Sequence, residues 1–202
     1  MPHSNTNDYR AKFPSFIVEP INDIKEAIAR GHYTPSDPTI YGTYFFVPLC
    51  YRPSLGITRI MDRTGRVIKL PNAKGAKRVF IVSFKRPVGK GEYVTLLAQY
   101  GLRPCKNSPS YLAGLMATVS EAEMPEELRN TDIVAAEPKN HASIFKDDGG
   151  HPCFLYVRQR DLAIRDLDLV RISHKKEWLG YWAFLAEEKR GLTSQILSTF
   201  KG

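Results

Sequence analysis

The chain has 202 residues, 43% apolar and 25% charged, the proportions of a globular domain with its own core, and no apolar stretch approaches the ~20 residues that cross a bilayer. Lys and Arg number 29 against 21 Asp and Glu, a net charge of +8 that directs attention to anionic partners. Three cysteines, Cys50, Cys105 and Cys153, with no CxxC pair, argue against a disulfide framework and a zinc ribbon.

Residues 1–19 are polar and broken by proline, and are expected as a loosely ordered arm laid on the surface; 20–202 then make a single domain. MPHSNTNDYRAKF lacks both an apolar signal core and a cleavage site, so the cytoplasm is the default compartment. Pro20 opens INDIKEAIARG, where Ile21, Ile24 and Ile28 recur at helical spacing and Gly31 supplies a stop. YTPSDPTIYG, residues 33–42, reads as a loop.

From Tyr41 to Gln99 the pattern predicts strands: YGTYFFVPL, ITRIMD, RVIKL, KRVFIVSFKR and EYVTLLAQY, rich in aromatic and β-branched residues. DRTGR around Gly65 and PVGKGE around Gly89 and Gly91 are the expected hairpin turns. SPSYLAGLMATV follows as a helix with Leu112, Leu115, Met116 and Val119 on one stripe, and Pro125 with Glu126 and Glu127 starts a shorter one. TDIVAAEP, HPCFLYVRQ and LDLVRI return to strand, with DDGG at 147–150 as a turn. WLGYWAFLAEEK fits both periods, and its aromatic density favours a strand. LTSQILSTF closes the chain as a helix, with Leu192, Ile196 and Phe200 on one face. The sum is an α+β domain: a mainly antiparallel sheet in meander order, with two to four helices packed on one side.

The charge is concentrated. Between Arg52 and Lys90 there are eleven basic residues and one acid, Asp62, while the rest of the chain is slightly acidic. In KRVFIVSFKR the middle of the strand is apolar on both faces, which predicts a central strand with Lys77 and Arg78 at one end and Lys85 and Arg86 at the other. Such cations repel one another unless an anion sits among them, and phosphates suit that role because their neutralisation releases condensed counterions. Arg63, Arg66, Lys69, Lys74, Lys77 and Arg78 are the expected phosphate contacts, with Lys85 and Arg86 extending the set, and Tyr44, Tyr51, Phe80 and Tyr93 are aromatic neighbours that could stack on bases. The plain reading of the same residues is a charged sheet edge that resists association.

Other chemistry is sparser. Three D/E-x-K tripeptides occur, at Asp23, Glu137 and Glu187, close to what chance supplies. Glu187 and Lys189 with Asp168 on the preceding strand have the better shape for a Mg²⁺-dependent nuclease. His141, His151 and Cys153 lack the paired spacing of a metal site, no nucleotide-binding glycine loop or nucleophile elbow is present, and no cofactor is implied. Trp178, Tyr181, Trp182 and Phe184 are either core or an interface anchor. The favoured expectation is a non-catalytic protein that engages nucleic acid or another polyanion through a basic β-hairpin face over residues 52–90. The alternative is an interaction or assembly module, of the kind found among viral structural or host-directed factors, with an acidic protein partner; the nuclease stands third. No membrane partner is expected.

Overall fold

A computed structural model describes residues 12–23, 26, 27, 30, 69–89, 91–119, 123–129, 131–146, 152–160, 164–172, 177, 178 and 182–189. The strands expected from YGTYFFVPL, ITRIMD and RVIKL, the loop 33–42, the DRTGR and DDGG turns and the C-terminal helix lie outside those residues, wholly or nearly so. In the helix expected from INDIKEAIARG, Glu26, Ala27 and Arg30 are helical, and Arg30 pairs with Glu26 one turn away at 2.9 Å.

The fold is α+β, built on a mixed, mostly antiparallel eight-stranded sheet. Its strands are β1 (Ser15–Val18), β2 (Lys77–Ser83), β4 (Leu102–Pro104), β5 (Asp132–Val134), β6 (Phe145–Lys146), β7 (Pro152–Arg160), β8 (Ile164–Arg171) and β10 (Trp182–Glu188); β3 (Val88–Gly89) and β9 (Glu177–Trp178) pair separately. The helices described from end to end are α1 (Glu92–Gln99) and α2 (Ser108–Thr118), with short 3₁₀ turns at Glu126–Leu128 and His141–Ser143. No helix among the described residues is long and apolar enough to cross a membrane.

Hairpin order holds for β6, β7 and β8, and the last two pair from Cys153 opposite Arg171 to Arg160 opposite Ile164. The centre is assembled differently. β10, the last described strand, runs between β2 on one side and β5, then β4, on the other, as shown by Ala186 lying opposite both Phe80 and Pro104. The β10–β5 pair is parallel.

Period-2 alternation divides the apolar residues of the central strands between two clusters. Val79, Ile81, Ala183, Leu185, Ile133, Leu155 and Val157 join one face, covered by Leu112, Leu115 and Met116 of α2. Phe80, Val82, Phe184, Val134, Phe154 and Tyr156 join the other, covered by Tyr93 and Leu97 of α1. Helices therefore pack on both sides of the sheet, not on one. The cause is visible in β2: a strand apolar on both faces leaves one of them wet unless each is covered.

Other expectations are corrected as well. EYVTLLAQY is a helix, because Tyr93 and Leu97, one turn apart, are its buried residues and Gly101 at φ +69° ends it in a left-handed turn. PVGKGE is not a hairpin; Gly89 lies opposite Glu177 of β9, and its N–H donates to Glu92 at the start of α1. The N-terminal arm extends less far than residue 19, since Ser15–Val18 pair with Phe80–Lys77 as a strand. Phe80 and Tyr93, offered as base-stacking aromatics, are both buried, Tyr93 lying parallel to Phe184 at 4.5 Å.

Candidate functional site

The start of β2 opens onto a cleft of about 520 Å³, lined by five cations, Lys74, Lys77, Arg78, Arg103 and Lys106, together with Asn107, Tyr111, Glu187 and Glu188. Three elements converge there: the loop leading into β2, the β4–α2 connection, and the end of β10.

The loop is held at several points. Asn22 grips Ala73 from both sides, its Nδ2 donating to the carbonyl at 2.9 Å and its Oδ1 accepting the N–H at 3.0 Å. Ser110 Oγ donates to the Pro71 carbonyl, and the Tyr111 hydroxyl donates to the Gly75 carbonyl at 2.8 Å. Gly75 sits at φ +74°, a conformation that glycine enters without steric penalty. Lys74 and Lys77 thereby flank a turn whose carbonyls face inward to α2.

Glu187 is the organising group. The register of β4 against β10 sets it opposite Arg103. Arg103 donates to Oε1 through Nε at 2.9 Å and its terminal nitrogen lies 2.7 Å from the same oxygen, while Lys77 donates to Oε2. Lys77 also donates to the Lys106 carbonyl at 2.8 Å and lies over the Tyr111 ring, 3.8 Å from its centroid. A carboxylate held between two cations in this way fixes both partners. Arg78 reaches Ser15 Oγ at 3.4 Å; among the described residues none of Lys74, Arg78 and Lys106 is in an ion pair.

Behind this cleft the Cys105 thiol is buried, and burial pushes it up to about 12, against the opposing pull of the Lys77 ammonium. A thiol so displaced is not a nucleophile at neutral pH.

The predicted phosphate contacts separate. Lys74, Lys77 and Arg78 come together in the cleft. Lys69 is exposed and does not line it, and Arg63 and Arg66 lie outside the described residues. Lys85 and Arg86 are at the far end of β2, roughly 20 Å or more away by strand rise. Arg86 is paired with Glu92 at 2.7 Å, and Lys85 borders a different cavity with Lys12, Phe84 and Tyr100. Arg103 and Lys106, absent from the sequence reading, complete the cleft; only the pairing of β4 with β10 brings them there.

The carboxylate candidates separate too. Asp168 of β8 is removed from Glu187 of β10 by β7 and β5, three strand spacings or about 14 Å. Two ligands of one Mg²⁺ must both lie within ~2.1 Å of it. Lys189 is exposed, and its N–H donates to the Gly101 carbonyl. Glu137 of the other tripeptide is a fastener: its Oε2 accepts from the Asn107 N–H at 2.8 Å, Asn140 Nδ2 at 2.9 Å and Ser143 Oγ at 2.5 Å. It pins the left-handed Asn107, φ +54°, at the head of α2. No cluster of three or more metal-ligating side chains occurs among the described residues.

Fold and cleft together define an α+β protein whose last described strand holds two cations of an otherwise cation-rich cleft. The chain matches no protein-family model, no curated protein and no solved structure.

Proposed function

We propose that this protein is a non-catalytic binder of nucleic acid or another polyanion, and that the cleft at the start of β2 is where the contact is made. The observation that carries the reading is the convergence of Lys74, Lys77, Arg78, Arg103 and Lys106 on one cleft, against two carboxylates, one of them already held by Lys77 and Arg103. A chain with net charge +8 attracts polyanions at long range, and a concave cluster of ammonium and guanidinium groups gives phosphates a place to displace their counterions.

Salt titration tests it. With three or four phosphates engaged, affinity for a short fluorescent DNA strand falls by about one to two decades as salt rises from roughly 50 to 200 mM. Lys106→Gln weakens binding and flattens the salt slope, whereas Lys85→Gln, at the other end of β2, changes neither. No binding at low salt, or equal losses from the two substitutions, refutes the assignment; capture of an acidic protein with no affinity for DNA favours an interaction module instead.

A further inference from the structure

Resting on that reading, the hydrogen-bonding state of the cleft narrows the class of ligand. The Glu187 and Asn107 side-chain acceptors of its lining are engaged. Both Glu187 oxygens are held by Lys77 and Arg103, and Asn107 Oδ1 accepts from Asn140 Nδ2 at 3.2 Å. Glu188 is not free either. The nearest carbonyls are occupied as well, Gly75 by the Tyr111 hydroxyl and Lys106 by Lys77.

The side-chain amide and the aromatic ring among the lining residues are equally committed. Asn107 Nδ2 donates to the Asn72 carbonyl at 3.3 Å. Tyr111, the aromatic lining residue, is 4% exposed, and the Lys77 ammonium sits over its ring. A base cannot stack on a face that is already covered. What the cleft still offers is cationic donors, from Lys74, Arg78 and Lys106.

Donors without spare acceptors favour a ligand made of acceptors alone. A phosphodiester has anionic oxygens and no N–H or O–H. A peptide, by contrast, carries an N–H at nearly every residue, and an acidic peptide entering this cleft would bring donors that find no partner in it. We propose that the cleft recognises the phosphodiester backbone itself, gripping it with Lys74, Arg78 and Lys106, and leaves base identity unread. Contacts to phosphate position a strand without carrying sequence information.

Fluorescence anisotropy with labelled oligothymidylate at low salt tests this, using unlabelled oligothymidylate, oligoadenylate, mixed-sequence DNA, inorganic polyphosphate and polyaspartate as competitors at matched charge. The nucleic acids are expected to compete within about threefold of one another, as sequence-independent electrostatics require. Polyphosphate competes with them and polyaspartate falls at least about tenfold behind, because its amide N–H groups go unpaired. Combining Lys74→Gln, Arg78→Gln and Lys106→Gln lowers the slope of log K against log salt by about 2, equally for every strand. A tenfold preference among bases, polyaspartate matching polyphosphate, or an unchanged slope in the triple variant overturns the proposal while leaving polyanion binding standing. Failure of every nucleic acid and of polyphosphate to bind overturns both.

Discussion

Glu187 and Glu137 occupy equivalent places in two D/E-x-K tripeptides, yet neither is available for the chemistry that pattern suggests. Each carboxylate is engaged in holding the fold: Glu187 by Lys77 and Arg103, Glu137 through one oxygen by a backbone N–H, an amide and a hydroxyl. A tripeptide records identity and spacing, whereas for Glu187 that engagement depends on residues 84 and 110 positions away in the chain. Cys105, between the two cations Arg103 and Lys106, is a residue whose ionisation the fold displaces far from its ordinary range. Its thiol is pushed up to about 12 by burial, while an exposed or unfolded thiol ionises near pH 8.5. Below about pH 8.5 the thiol is neutral in both states and pH has no effect through it; between about 8.5 and 12 only the unfolded chain ionises there, so stability falls as pH rises. In reducing buffer, urea denaturation of the native protein should lose up to about 1.4 kcal/mol per pH unit above pH 8.5 relative to Cys105→Ala. Parallel pH profiles for the two proteins would rule this out.

Helix α2 shows how little an element's amphipathic pattern reveals when every side of it is buried. Leu112, Leu115 and Met116 are the expected stripe, and they do face the sheet, but Ser108–Met116 are all buried. The second covering is the segment after β1. A Cβ at Gly114 would lie 1.9 Å from the Glu19 carbonyl oxygen and 2.9 Å from Val18 Cγ1, so backbone crosses helix at the one residue that permits it. Gly114→Ala should therefore destabilise the protein by about 2 kcal/mol or more, despite alanine's higher helix propensity, because the obstructing atom is backbone and cannot rotate away. Chemical denaturation measures it; a stabilised variant would mean that the crossing is looser than the geometry requires. Helix α1 was open to the opposite error. Tyr93, Val94, Leu96 and Leu97 suit a strand by composition, and the helix is decided by Tyr93 and Leu97 meeting the same cluster one turn apart, beneath Phe80 and Phe184.

At the scale of the molecule, β10 carries alternate residues into two separate apolar clusters, with Leu185 in one and Phe184 in the other. Neither cluster is a minor one, and both residues are 1% exposed. Leu185→Ala and Phe184→Ala are expected to cost about 2–5 and 3–5 kcal/mol respectively, each in a single cooperative transition by calorimetry and circular dichroism. Were the α1 side only a satellite of the core, Phe184→Ala would cost much less than Leu185→Ala or would melt α1 in a separate step. The candidate cleft depends on this arrangement, since the end of β10 delivers Glu187 between Lys77 and Arg103.

What the sequence by itself determined was local: the α+β class, a helix beginning near Ser108, strands within 131–138, 151–159 and 167–172, a preference for strand over helix in 178–189, the interior position of β2, and the placement of Lys77 and Lys85 at its opposite ends. Each follows from periodicity or composition within a dozen residues, where side-chain direction is set by backbone geometry alone. Only the tertiary structure decided that both faces of the sheet are covered, that a strand near the chain's end lies beside β2, and that Arg103 and Lys106 join Lys74, Lys77 and Arg78. Those outcomes rest on pairing between strands remote in sequence. Such pairing is governed by burial of complementary faces, a property of two segments together that neither carries alone.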